Sequence, residues 1–95
     1  MEYKKKVMTF NELKFRPHKA FCGVIAEYEF PNGYGVSVVD TDFSYNENGT
    51  YEVAITHNGN LTYSTPNTED VLGFQTPEDI NKLLDIIEKW SPDQY

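Results

Sequence analysis

A period of two constrains this chain more than any other feature of its sequence. Ala26, Tyr28 and Phe30 alternate with Glu27 and Glu29; beyond Pro31-Asn32-Gly33, the apolar Tyr34, Val36 and Val38 alternate with Gly35 and Ser37. Successive side chains of a strand point to opposite faces, so the pattern predicts two half-buried strands with one greasy and one polar side. The Asn-Gly between them tolerates the positive φ angles of a tight hairpin. Tyr51, Val53, Ile55 and His57 alternate with Glu52, Ala54 and Thr56 and predict a third strand. Asn58-Gly59 then returns the chain into a fourth strand over 60–65, which Pro66 ends. Phe10, Leu13 and Phe15, ahead of Arg16-Pro17-His18, have irregular spacing, and both strand and turn stay open there.

The period changes near the end of the chain. Thr76 suits an N-cap, Pro77 the first helical position, and Glu78 and Asp79 the positive end of the helix dipole. Ile80, Leu83, Leu84, Ile87 and Trp90 follow at the spacing of a core-facing stripe, widened by Ile86, and Ser91-Pro92 stops the run. The expectation is a helix over 77–90. Hairpins followed by a helix define an α+β class: an antiparallel meander of about four strands packed on one C-terminal helix. One helical stripe covers one sheet face, and the other face is left for solvent and partners.

A length of 95 residues fits a single domain, read here as 8–95, with 1–7 as a flexible N-terminal extension. No apolar run approaches the roughly 18 residues of a membrane helix, and no secretory h-region is visible, so a cytoplasmic, non-membrane chain is expected. The one cysteine, Cys22, excludes an internal disulfide and reads as a small buried residue at a strand start. Net charge is −7, but residues 1–20 hold +4 and residues 21–95 hold −11. Such an acidic body repels phosphate backbones, so no direct duplex binding is expected, and basic protein surfaces are the natural counterpart.

Motifs with chemistry are scarce. There is no GxSxG, P-loop, GxGxxG or HExxH, and the expectation is a protein that is not an enzyme and takes no cofactor. His18 and Cys22 stand four apart, yet Pro17 and Gly23 make a shared helix face improbable. Asp40, Asp42 and Glu47 offer oxygens to a hard cation but lack the calcium-loop register, and they read as a solvated acidic loop. That loop also carries Tyr45, and aromatics anchor protein contacts at low entropic cost. The expected protein-binding surface is therefore Asp40, Asp42, Tyr45 and Glu47, joined by Glu27, Glu29 and Glu52 from the wet sheet face. The alternative is a small-ligand binder, taking a nucleotide signal between two sheets of a homodimer. There Gly35 and Ser37 would lie beside aromatics, with Arg16, His18 and Lys19 meeting the phosphates.

Four segments carry a resemblance: Phe10-Asn11-Glu12-Leu13-Lys14-Phe15-Arg16-Pro17-His18, Phe30-Pro31-Asn32-Gly33-Tyr34-Gly35-Val36-Ser37-Val38-Val39, Tyr51-Glu52-Val53-Ala54-Ile55 and Asp70-Val71-Leu72-Gly73-Phe74. In these the chain resembles a group of small uncharacterised proteins of tailed bacteriophages, and the match begins at about Met8. Ser64 departs from the pattern, standing where that group suggests an aspartate ahead of Thr65-Pro66. The resemblance implies expression in the cytoplasm of a bacterial host and supplies no catalytic residues. Together with the acidic body it leads to an accessory protein that works by binding, inhibiting a host or defence protein with a basic surface.

Overall fold

The computed structural model describes residues 8–42, 44, 49–62, 65, 72–92 and 94–95. The expected extension over 1–7 and the loop residues Tyr45 and Glu47 lie outside them. A 3-10 turn at Phe10–Glu12 leads into β1 (Arg16–Pro17), followed by β2 (Gly23–Glu29), β3 (Tyr34–Thr41), β4 (Tyr51–His57), β5 (Asn60–Leu61), β6 (Leu72–Gln75) and helix α1 (Pro77–Glu88). All six strands join one antiparallel sheet in the order β1-β2-β3-β4-β5, with β6 also paired to β4. The fold is thus the α+β meander with one C-terminal helix, carrying more strands than the four expected.

The extra strands are short, and each breaks the alternation. In β1 a proline sits opposite Val24, tolerated because among the described residues β1 is an edge with no further strand to bond. In β6, Tyr51 pairs with Gln75 but Val53 pairs with Leu72, so β6 holds one extra residue: a β-bulge. Phe74 absorbs it with φ at +56°, which turns a large side chain to solvent. The return strand after the second hairpin is shorter than expected, spanning Asn60–Leu61 rather than 60–65.

The two hairpins solve their turns differently. Asn58 and Gly59 both have positive φ, 54° and 87°, the geometry of a two-residue type I′ loop between His57 and Asn60. In the first hairpin only Gly33 is positive, at 91°, and the loop has three residues. Gly33 N–H donates to Phe30 O at 2.9 Å and Phe30 N–H to Tyr34 O at 2.7 Å. Asn32 is thereby left free to point its side chain at the helix. Its Nδ2 donates to Ile87 O (2.9 Å) and Trp90 O (2.8 Å), and its Oδ1 accepts from Tyr34 N–H (2.9 Å). A residue suited to turn chemistry thus also ties the hairpin to the end of α1, as a second donor to Ile87 O, which already accepts from Trp90 N–H (3.1 Å), and as a donor to Trp90 O just past the helix.

The helix packs where its stripe predicts. Ile80, Leu83, Leu84 and Ile87 are buried, with Trp90 just beyond the C-cap, against Ala26, Val36, Val38, Val53 and Ile55 from β2, β3 and β4. Each fully buried aliphatic side chain contributes roughly 1.5–3 kcal/mol by leaving water. Ile86 is 39% exposed and flanks the stripe rather than widening it. Two aromatic groups close the ends of the inner face. Phe10, Phe15 and Tyr51 form a triangle with ring centroids 5.1–5.7 Å apart, while the His57 ring lies flat on Tyr34 at 4.0 Å. Cys22 is exposed rather than buried, because β2 starts one residue later and the 19–22 bend carries it off the end of the sheet.

Candidate functional site

The register of the ladder decides which side chains share a surface. Opposite residues of an antiparallel pair point the same way. Ala26, Val38 and Val53 form one inward row, and Tyr28, Val36 and Ile55 the next. The rows between them point outward: Arg16, Ile25, Val39 and Glu52; then Glu27, Ser37 and Ala54; then Glu29, Gly35, Thr56 and Leu61. Among the described residues no helix or second sheet lies on this outer face. Glu27, Glu29 and Glu52 therefore do share the wet side, with Glu27 and Glu29 exposed on β2 and Glu52 half-buried two strands away on β4.

The loop acids stand elsewhere. Asp40 is exposed and pairs with Val24, in phase with the inward rows, so it leaves β3 on the helix side of the sheet. Asp42 lies past the end of β3, where its N–H donates to Cys22 O at 3.3 Å. One continuous acidic patch from Asp42 to Glu29 is consequently not formed: the strand alternation separates Asp40 from the three glutamates. Among the described residues no three His, Cys, Asp or Glu side chains gather in a metal-binding group.

The residues of the small-ligand alternative are also divided. Arg16, His18 and Lys19 do meet, around a hollow of about 230 Å³ completed by Ile25 and Glu27. Its positive charge is partly spent, because the Arg16 guanidinium is ion-paired with the Glu27 carboxylate. His18 Nδ1 accepts from the N–H groups of Ala20 (3.0 Å) and Phe21 (3.3 Å), which leaves only Nε2 to face a ligand. Gly35 and Ser37 do not line this hollow. Gly35 is buried by its own sheet: a Cβ there would come 2.3 Å from Tyr28 O and 2.9 Å from Thr56 Oγ1. Tyr28, Tyr34 and Tyr51 all point inward, so no described aromatic of the central strands stands beside Gly35 on the outer face.

Two features went unread in the sequence. One is a groove of about 320 Å³ between the segment after the 3-10 turn and the middle of β2, lined by Met8, Glu12, Leu13, Lys14, Glu27 and Tyr28. The other is the docked C-terminal end, where Tyr34 Oη accepts from Tyr95 N–H (2.8 Å) and donates to Tyr95 O (3.0 Å), with the Tyr95 ring edge-on to Trp90. The groove's signal was faint but present in Leu13, an apolar residue between Glu12 and Lys14. No helix of the described residues is long and apolar enough to cross a membrane. Comparison with protein families, with curated proteins and with solved structures finds no match for the chain.

Proposed function

We propose that this chain is a small accessory protein that acts by binding a basic protein surface through the glutamate-bearing side of its sheet. The observation that carries the reading is the placement of Glu27, Glu29 and Glu52 together on the sheet face that α1 does not cover. Around them lie small or short side chains, Ser37, Ala54 and Thr56, which let a partner approach the sheet closely. An acidic face on a chain of net charge −7 steers basic partners and rejects nucleic-acid backbones. The likeness of the Asn32–Val39 block to tailed-bacteriophage proteins favours a partner in a bacterial host, with interference as the purpose. The Arg16–Glu27 ion pair takes one charge from each candidate surface, and the acidic face is preferred because the chain's net charge is −7 and the His18 Nδ1 of the hollow is already engaged by the Ala20 and Phe21 N–H groups.

The test is affinity capture from bacterial lysate with the wild-type chain and with a Glu27→Lys, Glu29→Lys, Glu52→Lys variant of unchanged melting temperature. The reading expects a basic protein held by the wild type, released by moderate salt and lost by the variant. An identical set of captured proteins for both chains overturns it.

A further inference from the structure

Strand β2 is paired on its outer side over less than half its length. β1 covers Val24 and Ile25, and among the described residues no strand continues opposite Glu27 and Glu29, although Lys14 and Glu12 would stand there if the register ran on. The phase of the ladder tells which backbone groups of this stretch face away from β3. Phe30 N–H bonds Tyr34 O and Asp42 N–H bonds Cys22 O, so the even-numbered residues from 22 to 30 turn their N–H and C=O toward β3. The odd-numbered residues turn theirs the other way, as the bond from His18 N–H to Gly23 O illustrates at the covered end. The N–H and C=O of Glu27 and Glu29 therefore face away from β3, Glu27 beside the groove it lines with Met8, Leu13, Lys14 and Tyr28, and no described residue outside the sheet makes a backbone bond to them.

We propose that this edge takes up an extended segment of the partner protein as an added β-strand, and that the segment alternates basic, apolar and basic residues. The proposal deepens the binding function above and rests on it, naming the kind of segment that is bound. Main-chain bonds to Glu27 and Glu29 supply the pairing, and alternate side chains supply the choice of sequence. Residues of the added strand opposite Glu27 and Glu29 stand on the outer face beside two carboxylates, where Lys or Arg is favoured. The residue between them points to the inner side, toward Met8, Leu13 and Tyr28, where an apolar side chain leaves water. Glu29 has no ion pair among the described residues and is the primary anchor, while an incoming cation at Glu27 competes with Arg16. A second copy of this chain is a poor occupant. Antiparallel pairing of two β2 edges about a two-fold axis at Tyr28 sets Glu27 against Glu29 twice, and like charges directly opposite repel.

The experiment uses the isotope-labelled full chain and three synthetic heptapeptides: Thr-Lys-Val-Lys-Val-Lys-Thr, its Glu-for-Lys counterpart, and a shuffled Thr-Lys-Lys-Lys-Val-Val-Thr. The alternating lysine peptide is expected to shift the Glu27 and Glu29 amides and to slow their hydrogen exchange about tenfold, equivalent to about 1.4 kcal/mol. A Glu27→Lys, Glu29→Lys variant is expected to transfer the preference to the glutamate peptide, which keeps the result independent of whether either variant alone changes stability. Equal protection by the shuffled peptide, or none by any peptide, overturns strand addition. So does protection that appears without peptide as protein concentration rises, since that marks self-pairing. If the lysate partner is still lost on charge reversal while the peptides leave these amides unprotected, strand addition falls and face binding stands. If instead the peptides protect the edge while lysate capture is unchanged, the face-binding reading falls and takes with it the assignment of the added strand to that partner, although the edge itself pairs with basic strands.

Discussion

Gly35 shows how much can hang on the absence of one carbon. It was legible as a small residue on the outer face, but the alternation could not say what comes close to it. The occupant is the sheet itself: Tyr28 O and the Thr56 hydroxyl stand where a Cβ would go. Gly35→Ala is expected to cost about 1–3 kcal/mol, since overpacking here meets backbone rather than a movable side chain. A lower urea midpoint at unchanged slope checks it; an unaltered midpoint would contradict the described register. Phe74 marks the opposite limit of sequence reading. A phenylalanine at positive φ defies the usual preference for glycine or asparagine, so nothing in Leu72-Gly73-Phe74-Gln75 announced a strand with a bulge. Cys22 was misplaced for a smaller reason: it belongs to the exposed 19–22 bend just ahead of β2 rather than to the strand.

Among the elements, α1 was the most legible, because cap, dipole and stripe agree over the same residues. The cap is reciprocal: Asp79 N–H donates to Thr76 Oγ1 (3.1 Å), and Thr76 N–H donates to an Asp79 carboxylate oxygen (3.0 Å). The backbone bond from Thr76 holds the Asp79 carboxyl below its ordinary value of 3.8, helped by the Thr76 hydroxyl contact and by Lys82. A carboxyl depressed in the folded state stabilises fully above 3.8, and that contribution fades as pH falls through the lowered folded value. Asp79→Asn should therefore be less stable than wild type near neutrality, with the two curves converging below pH 3.8. Chemical denaturation from strongly acidic to neutral pH reads this directly, and parallel curves throughout would assign the stability difference to shape instead of charge. The minor strands resisted reading for the converse reason: two residues cannot display a period, and Pro17 argues against a strand unless its edge position is already known.

For the molecule as a whole, the sequence revealed the one-sided sheet but not the division of its acids. Alternation placed Glu27, Glu29 and Glu52 correctly because each lies inside a regular strand. It could not join them to Asp40, which shares the phase of the core rows, and Tyr45 and Glu47 lie outside the described residues. Long-range closure was likewise hidden, since nothing local in Pro31-Asn32-Gly33 says that Asn32 will meet residues 55 and 58 positions away. Asn32→Ala is expected to lose about 2 kcal/mol, from the two bonds it donates to Ile87 O and Trp90 O and the one it accepts from Tyr34 N–H. That same amide has a kinetic consequence. Because it bonds groups so distant along the chain, its contacts belong to the last stage of assembly, after hairpin and helix each exist. Stopped-flow measurements of the alanine variant should show faster unfolding with an almost unchanged refolding rate, making this turn a latch on the native state's lifetime instead of a seed for its formation.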